Sequence, residues 1–191
     1  YEIDRADALL SCKDPLNSQK VLKGINPTGH LLKKQWALLS WRASNAVMDH
    51  ENASFALREL ADGDLTKLDD ESITVRHTSE GLPLKRLALD LLAEHERLLG
   101  RCDEASKVLL AGRKSGALGA RRLSLAVQCL KGLSVQKRNA LIELALTEAK
   151  ADQAWWLVGD ILRLQLMLEI ESGKDAKIIR DRLEKFALEI D

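Results

Sequence analysis

Helix-ending signals recur along the whole chain, and they limit it to short helices. Segments rich in leucine and alanine stop at glycines, and several of the following segments open on a residue that caps helices. The glycines are Gly24, Gly63, Gly100, Gly132 and Gly173, and the capping candidates are Asp14, Thr28, Asp49 and Ser134. Because short turns place neighbouring helices antiparallel, the pattern predicts about ten antiparallel helices.

Composition favours an all-α fold. The 191 residues include 37 Leu and 22 Ala, and both are strong helix formers. Strand signals are weak, because β-branched residues are scattered and no stretch alternates cleanly between apolar and polar. The predicted helices cover residues 3–10, 15–23, 31–48, 50–61, 84–99, 103–114, 118–130, 135–150, 152–170 and 175–190.

Residues 64–81 interrupt this helical pattern. Apolar residues are sparse there, and the segment holds an acidic run at 69–71 and a polar run at 76–80. Loops of this length are uncommon in compact domains unless they are functional or mobile. We interpret the segment as an insertion that is part loop, with room for one short helix.

One predicted helical hairpin carries a legible motif. The run GRCDEA, residues 100–105, follows Leu92-Ala93 and precedes Leu109 and Gly112. This arrangement resembles one unit of a tetratricopeptide (TPR) repeat, whose second helix carries an early alanine where the two helices cross. The aromatic residues usual on the first helix of the unit are missing, since Leu89 and Glu96 occupy those positions.

Weaker outlines of the same unit flank this copy. Ala140 lies 35 residues after Ala105, and Ala176 lies 36 residues after Ala140, close to the roughly 34-residue period of the family. Ala53 precedes Ala105 by 52 residues, an excess of 18 that matches the length of the predicted insertion. The resemblance therefore implies repeated hairpins with one insertion.

What the resemblance implies for the fold is a short, right-handed TPR-like solenoid of about ten helices. Residues 1–27 would form an N-terminal partial or capping hairpin. Residues 28–191 would form the repeat domain, with the insertion at 64–81. An irregular helical bundle is the alternative architecture.

The resemblance also implies where a partner would bind. Ligands of such arrays lie on the concave face made by the first helix of each hairpin. The matching positions are Gln35, Arg42, Asn45, Asp90, Glu94, Arg97, Asp160 and Arg163. These residues are mixed in charge and lack the basic clamp that some family members use for a peptide's C-terminal carboxylate. We therefore expect a partner held by shape and mixed polar contacts.

The tryptophans have two interpretations. In a Leu/Ala-rich chain a tryptophan usually fills core volume, but tryptophan is also enriched at the centres of protein interfaces. Trp41, Trp155 and Trp156 are the candidate interface residues. The apolar segment 152–170 is expected either to lie between neighbouring helices or to dock against a partner.

Catalytic and metal-binding patterns are weak. His95 lies on the apolar stripe of its helix and is expected to be a partly buried structural residue, while His30, His50 and His77 fall at turns or loops. The acidic run at 69–71 lacks a facing acidic partner, and no nucleotide or hydrolase motif occurs. We predict no metal site, no cofactor and no enzyme activity.

Charge and hydropathy narrow the partner class. The 29 basic and 29 acidic residues cancel, which argues against nucleic acid as the partner. No apolar run is long enough to span a membrane. Three cysteines without ligand spacing fit a reducing, cytoplasmic setting. The chain starts at Tyr1 and not at Met, which is expected of an excised domain or a processed product.

These observations predict a protein–protein interaction scaffold or adaptor that binds a peptide or folded partner. A ligand-sensing regulatory domain of a larger signalling or transcription protein is the second hypothesis, and an enzyme on an irregular helical bundle is the third. The segment around Trp155 and Trp156 is also a candidate surface for self-association into a homo-oligomer. These functions are hypotheses, since one fold hosts many functions.

Overall fold

The computed structural model describes residues 1–112, 114–130, 132–173 and 176–190. The described part is mostly helical, which confirms the all-α prediction at that level. The ten α-helices within it are α1 (Glu2–Ser11), α2 (Pro15–Lys23), α3 (His30–Ala46), α4 (His50–Ala61), α5 (Ala88–Leu98), α6 (Cys102–Ala111), α7 (Gly116–Cys129), α8 (Val135–Ala151), α9 (Trp155–Glu171) and α10 (Lys177–Ile190). A 3-10 helix (Leu65–Asp69) and two antiparallel strands, β1 (Ser72–His77) and β2 (Pro83–Leu87), lie between α4 and α5.

Three of the four predicted helix caps are confirmed. The side chains of Asp14, Asp49 and Ser134 each accept a hydrogen bond from the backbone N–H three residues further on, at 3.1 to 3.4 Å. Such bonds satisfy donors that the helix itself leaves unpaired. Thr28 was predicted to cap α3, and this is wrong. Gly29 occupies the cap position, and no side chain caps the helix there.

The interpretation of residues 64–81 needs a correction, because the segment contains a 3-10 helix and most of a β-hairpin. The second strand continues to Leu87, so the helix predicted to begin at residue 84 begins at Ala88. The run Ile73, Thr74 and Val75 is β-branched throughout. Such residues favour strands, and their local preference outweighs the helical spacing of the leucines downstream.

The hairpin turn follows from its sequence. The backbone N–H of Thr78 donates to the Leu82 carbonyl at 2.9 Å, and the N–H of Gly81 donates to the Thr78 carbonyl at 3.0 Å. Gly81 has a φ of +82°, which glycine adopts without steric cost. Three-residue hairpin loops with a left-handed third residue have this form. The turn fixes the register that pairs β1 with β2.

The chain divides into two compact units, Tyr1–Ala111 and Gly112–Asp191. The predicted boundary at residue 27 falls inside the first unit. The first hairpin shares an apolar core with α3, formed by Ile3, Ala6, Leu22, Leu39 and Ala43. Within this unit each helix from α1 to α6 packs against the next one along the chain. Residues 1–27 are therefore part of the same core as α3.

The alanines used to measure the repeat differ in their surroundings. Ala53 and Ala105 each occupy the fourth position of a helix, α4 and α6, and both are fully buried. Ala140 is exposed on α8. The expectation that Ala140 marks a close helix crossing is therefore wrong, and α8 instead buries Ala145 and Ala149.

The second unit, α7 to α10, has its own apolar core. It is formed by residues such as Val127, Ile142, Leu146, Ile161 and Phe186. The N-terminus of α7 is held by two carboxylates from α8 and the turn after it. Glu148 accepts from the backbone N–H of residue 116 at 2.5 Å, and Asp152 accepts from that of residue 117 at 2.9 Å. Negative charge at a helix N-terminus also favours the helix dipole.

Candidate binding groove

An open groove of about 600 Å³ runs between helices α1 and α3 and strand β1 in the first unit. Helix α3 contributes Gln35, Leu38, Leu39 and Arg42. These residues are spaced at i, i+3, i+4 and i+7, so they share one face of the helix. The opposite wall is β1, all of whose residues from 72 to 77 line the groove.

The groove faces the edge of β1 rather than one face of the sheet. Side chains of a strand alternate between the two faces, so a surface on one face would meet every second residue. Six consecutive residues of β1 line the groove, and no residue of β2 does. Because β2 pairs with the other edge of β1, the edge that faces α3 has no neighbouring strand among the described residues.

The pairing of the two strands contains one irregularity. Thr74 lies opposite Lys85 and Arg76 lies opposite Leu84, which leaves Val75 without a counterpart in β2. Such a bulge bends the strand and increases its twist. The bulged residue lies in the middle of the groove wall.

The groove carries a surplus of positive charge. Arg42 pairs with Asp7 of α1 at 3.1 Å, and both side chains are about half exposed. Arg76 on β1 is exposed and forms no ion pair with any described residue. Among the residues that line the groove, the charge that remains unbalanced is therefore that of Arg76.

The structure brings together two of the residues predicted to bind a partner. Gln35 and Arg42 both line the groove, about two turns apart on α3. Asn45 is exposed one turn further along α3 and is not part of the groove lining. The positions that the TPR resemblance implied thus include two residues of one groove wall. The other wall was missed, although the β-branched run at 73–75 was the signal that could have revealed it.

The predicted residues of α5 lie elsewhere. Glu94 forms an ion pair with Arg86 of β2 at 2.5 Å, so the hairpin occupies this part of the predicted concave surface. Asp90 is half-buried and Arg97 is exposed, and neither lines the groove. A partner-binding role for these three residues stays a prediction.

In the second unit, the predicted pair Asp160 and Arg163 is exposed on α9. The two side chains form an ion pair with each other at 2.6 Å. Trp155 and Trp156, at the start of the same helix, are 46% and 65% exposed. Their exposure agrees with the interface interpretation and not with a core role.

Trp41 is not an interface residue, which corrects its prediction as a candidate hot spot. Its side chain is 1% exposed. The indole Nε1–H donates to Nε2 of His95 at 3.1 Å, and Nδ1 of His95 lies 3.1 Å from Nδ1 of His50. Because Nε2 of His95 accepts a hydrogen bond, the neutral ring of His95 carries its hydrogen on Nδ1, and this N–H donates a hydrogen bond to Nδ1 of His50.

Burial in this cluster lowers the pKa of His95 from 6.5 to about 4, with a further contribution from the neighbouring His50. The imidazole is therefore neutral near pH 7, as its hydrogen bonds require. His95 is enclosed by Trp41 and His50 and does not line the groove. The geometry fits a structural histidine and offers no approach for a substrate.

Glu96, the next residue on α5, is also buried. Its Oε1 accepts from Ser54 Oγ at 2.5 Å and from Arg58 Nη2 at 2.8 Å, while Arg101 lies 3.8 Å from Oε2. A buried carboxylate costs free energy unless it is paired and hydrogen-bonded. Glu96 stands where the TPR unit usually has an aromatic residue, and here it fixes α5 to α4.

A second, smaller cavity of about 180 Å³ lies between α2, α3 and α4. Its walls include Trp36 and Phe55, whose rings meet edge to face with centroids 6.5 Å apart. The hydroxyl of Ser40 is buried in this wall and has no hydrogen-bond partner among the described residues. Pockets for small molecules usually have volumes of roughly 300 to 1,000 Å³, so this cavity suits a few heavy atoms.

The described ranges contain neither a cluster of metal-binding side chains nor a membrane-spanning helix. No group of three or more His, Cys, Asp and Glu side chains there is placed to hold a metal ion. Each helix in the same ranges is too short or too polar to cross a lipid bilayer.

Comparisons with models of known protein families, with curated protein sequences and with solved structures found no match to this chain. The TPR resemblance therefore depends on the sequence around the motif at residues 100–105.

Proposed function

We propose that this chain is a protein-interaction module, a scaffold or adaptor that binds a peptide or a folded partner without chemistry of its own. The observation that carries the proposal is the open groove between α3 and β1, which contains Gln35 and Arg42 from the predicted binding face. An open groove with mixed polar and apolar walls suits a polypeptide better than a small substrate.

We further propose that the helices of the first unit form a short TPR-like solenoid. The order of packing supports this, because α1 to α6 contact one another in sequence. The equivalent positions of Ala53 and Ala105 on α4 and α6 add support, since both are fully buried. The exposed Ala140 argues against extending the same repeat into the second unit.

The choice of a binding module over an enzyme is supported by the position of the two buried titratable groups of α5. His95 is hydrogen-bonded to Trp41 and enclosed with His50. Glu96 is held by Ser54 and Arg58. A general acid or base must be within reach of its substrate, and these groups are committed to structural contacts away from the groove.

Selection of linear peptides from a displayed random library on the whole chain tests the proposal. Peptides that bind should lose affinity for Arg42→Glu, a change on the exposed groove wall. Arg121→Glu is the matched control, because Arg121 is exposed on α7 outside the groove and is not among the predicted binding residues. Recovery of no binding peptide, or equal affinity of both variants and the wild type, would contradict the proposal.

A ligand-sensing regulatory domain is the second candidate function, and the cavity beside Trp36 favours it. The unpartnered hydroxyl of Ser40 offers a small polar ligand one hydrogen bond. Thermal stabilisation by members of a small-metabolite panel, lost in Ser40→Val, would support this candidate. An absence of stabilisation by any member would exclude it for that panel.

A further inference from the structure

We infer that the groove takes an extended acidic peptide, which pairs with the free edge of β1 as a third strand of the sheet. This inference rests on the proposed function and names the chemical class of the partner. Six consecutive residues of β1 line the groove, so the backbone of the strand is presented along with its side chains. An exposed strand edge is a template for another strand.

The dimensions fit an extended segment. A strand of six residues is about 20 Å long, which sets the length of the peptide that pairs with it. Leu38 of α3 and Val75 of β1 are partly exposed where they line the groove, whereas Leu39 and Ile73 are buried in its walls. A peptide strand between these walls would place apolar side chains against Leu38 and Val75 and leave the alternate ones towards solvent.

Charge selects an acidic sequence. Arg76, which lines the groove, carries no ion pair with described residues, and Arg42 is already partly balanced by Asp7. A carboxylate on the peptide would complete the pairing of Arg76 at little desolvation cost, since Arg76 is exposed. The same surplus disfavours a second copy of this chain as the occupant, because self-pairing brings two basic strand edges together.

The test uses a peptide selected on the whole chain and a series of its versions with one backbone nitrogen methylated. Methylation removes a hydrogen-bond donor, and only alternate residues of an edge strand donate towards their neighbour. We expect affinity losses of about fivefold or more at alternate positions and tolerance at the positions between them. Replacing the acidic side chains by amides, or Arg76 by Glu, should weaken binding by about tenfold at low salt.

The outcomes separate this inference from the proposed function. Binding that is weakened by Arg42→Glu but unaffected by backbone methylation keeps the groove and overturns strand pairing. Selected peptides without acidic residues overturn the charge argument. A wild-type dimer that becomes monomeric on Arg76→Glu assigns the edge to a second copy instead. Recovery of no peptide overturns both proposals. Circular dichroism of each variant establishes that the fold is intact.

Discussion

The indole Nε1–H of Trp41 donates a hydrogen bond of 3.1 Å to Nε2 of His95, which links α3 to α5 across 54 residues of sequence. A protonated His95 would present a second donor to the indole, so the bond exists only with neutral imidazole. The link gives the buried indole N–H of Trp41 an acceptor, so the ring lies in the core of the first unit without an unpaired donor. It also makes the first unit sensitive to pH.

The first prediction concerns the stability of the folded chain at acidic pH. His95 has a pKa of about 4 in the folded chain and an ordinary value of 6.5 when unfolded. Between these values the unfolded chain binds a proton that the folded chain does not, so the free energy of unfolding decreases as pH falls. The loss begins near pH 6.5 and reaches about 3 kcal/mol below pH 4. Urea denaturation between about pH 7 and about pH 4.5 measures it.

Two controls isolate this contribution from that of carboxylates. In His95→Gln the free energy of unfolding should decrease less over this pH range than in the wild type. His30 is exposed, so His30→Gln should show the same decrease as the wild type. Direct NMR titration of the imidazole provides a measurement that does not depend on the variant folding. A pKa for His95 at or above 6.5 would contradict the prediction.

The second prediction concerns Glu96. Arg58→Met removes two donors from its buried Oε1, so an underpaired carboxylate remains in the core. We expect the free energy of unfolding to fall by about 2 to 3 kcal/mol. Adding Glu96→Gln to this variant should restore part of the loss. Arg101→Met removes a 3.8 Å contact with Glu96 and an exposed ion pair with Glu51 at 2.6 Å, and exposed pairs contribute little, so stability should change little. An equal loss in both single variants would count against the assignment.

The third prediction separates the two kinds of repeat alanine. Ala53→Leu places three extra carbon atoms at a fully buried position, and overpacking of this kind costs about 1 to 3 kcal/mol. Ala140→Leu, on the exposed side of α8, should stay within about 0.5 kcal/mol of the wild type. Thermal and urea denaturation compare the two. Equal losses would show that Ala140 also lies at a helix crossing.

The fourth prediction concerns the tryptophans of α9. The double variant Trp155→Ala, Trp156→Ala should remain folded, because both side chains are largely exposed. If they form a self-association surface, any increase of wild-type mass with concentration should be lost in light-scattering measurements. Trp41→Ala, a fully buried position, should cost about 3 to 5 kcal/mol. Unfolding of the double variant would show that these two side chains contribute to the core, and would contradict the prediction.

The features that sequence predicted correctly are local ones. The caps at Asp14 and Asp49 depend on residues three positions apart. The β-hairpin was missed because Leu84 and Leu87 fit the helical spacing of the following segment equally well. Their strand conformation depends on pairing with Arg76 and Ser72, which local periodicity does not encode.

The candidate groove shows the same limit. Gln35 and Arg42 were predicted from the positions that the TPR resemblance implies, and these lie on one helix. The opposite wall required knowledge of where a hairpin more than 30 residues away folds back. The pairing of Trp41 with His95 is also a long-range contact, so the sequence left Trp41 with two interpretations that only packing could separate.

Amide hydrogen exchange of the whole chain, with and without a selected peptide, tests the central claim most directly. With the peptide bound, we expect slower exchange in residues 72–77 of β1 and in the neighbouring part of α3, with little change in α9. Protection confined to the helix that carries Trp155 and Trp156, or protection of α5 around Arg97 without any in β1, would contradict the groove as the binding site.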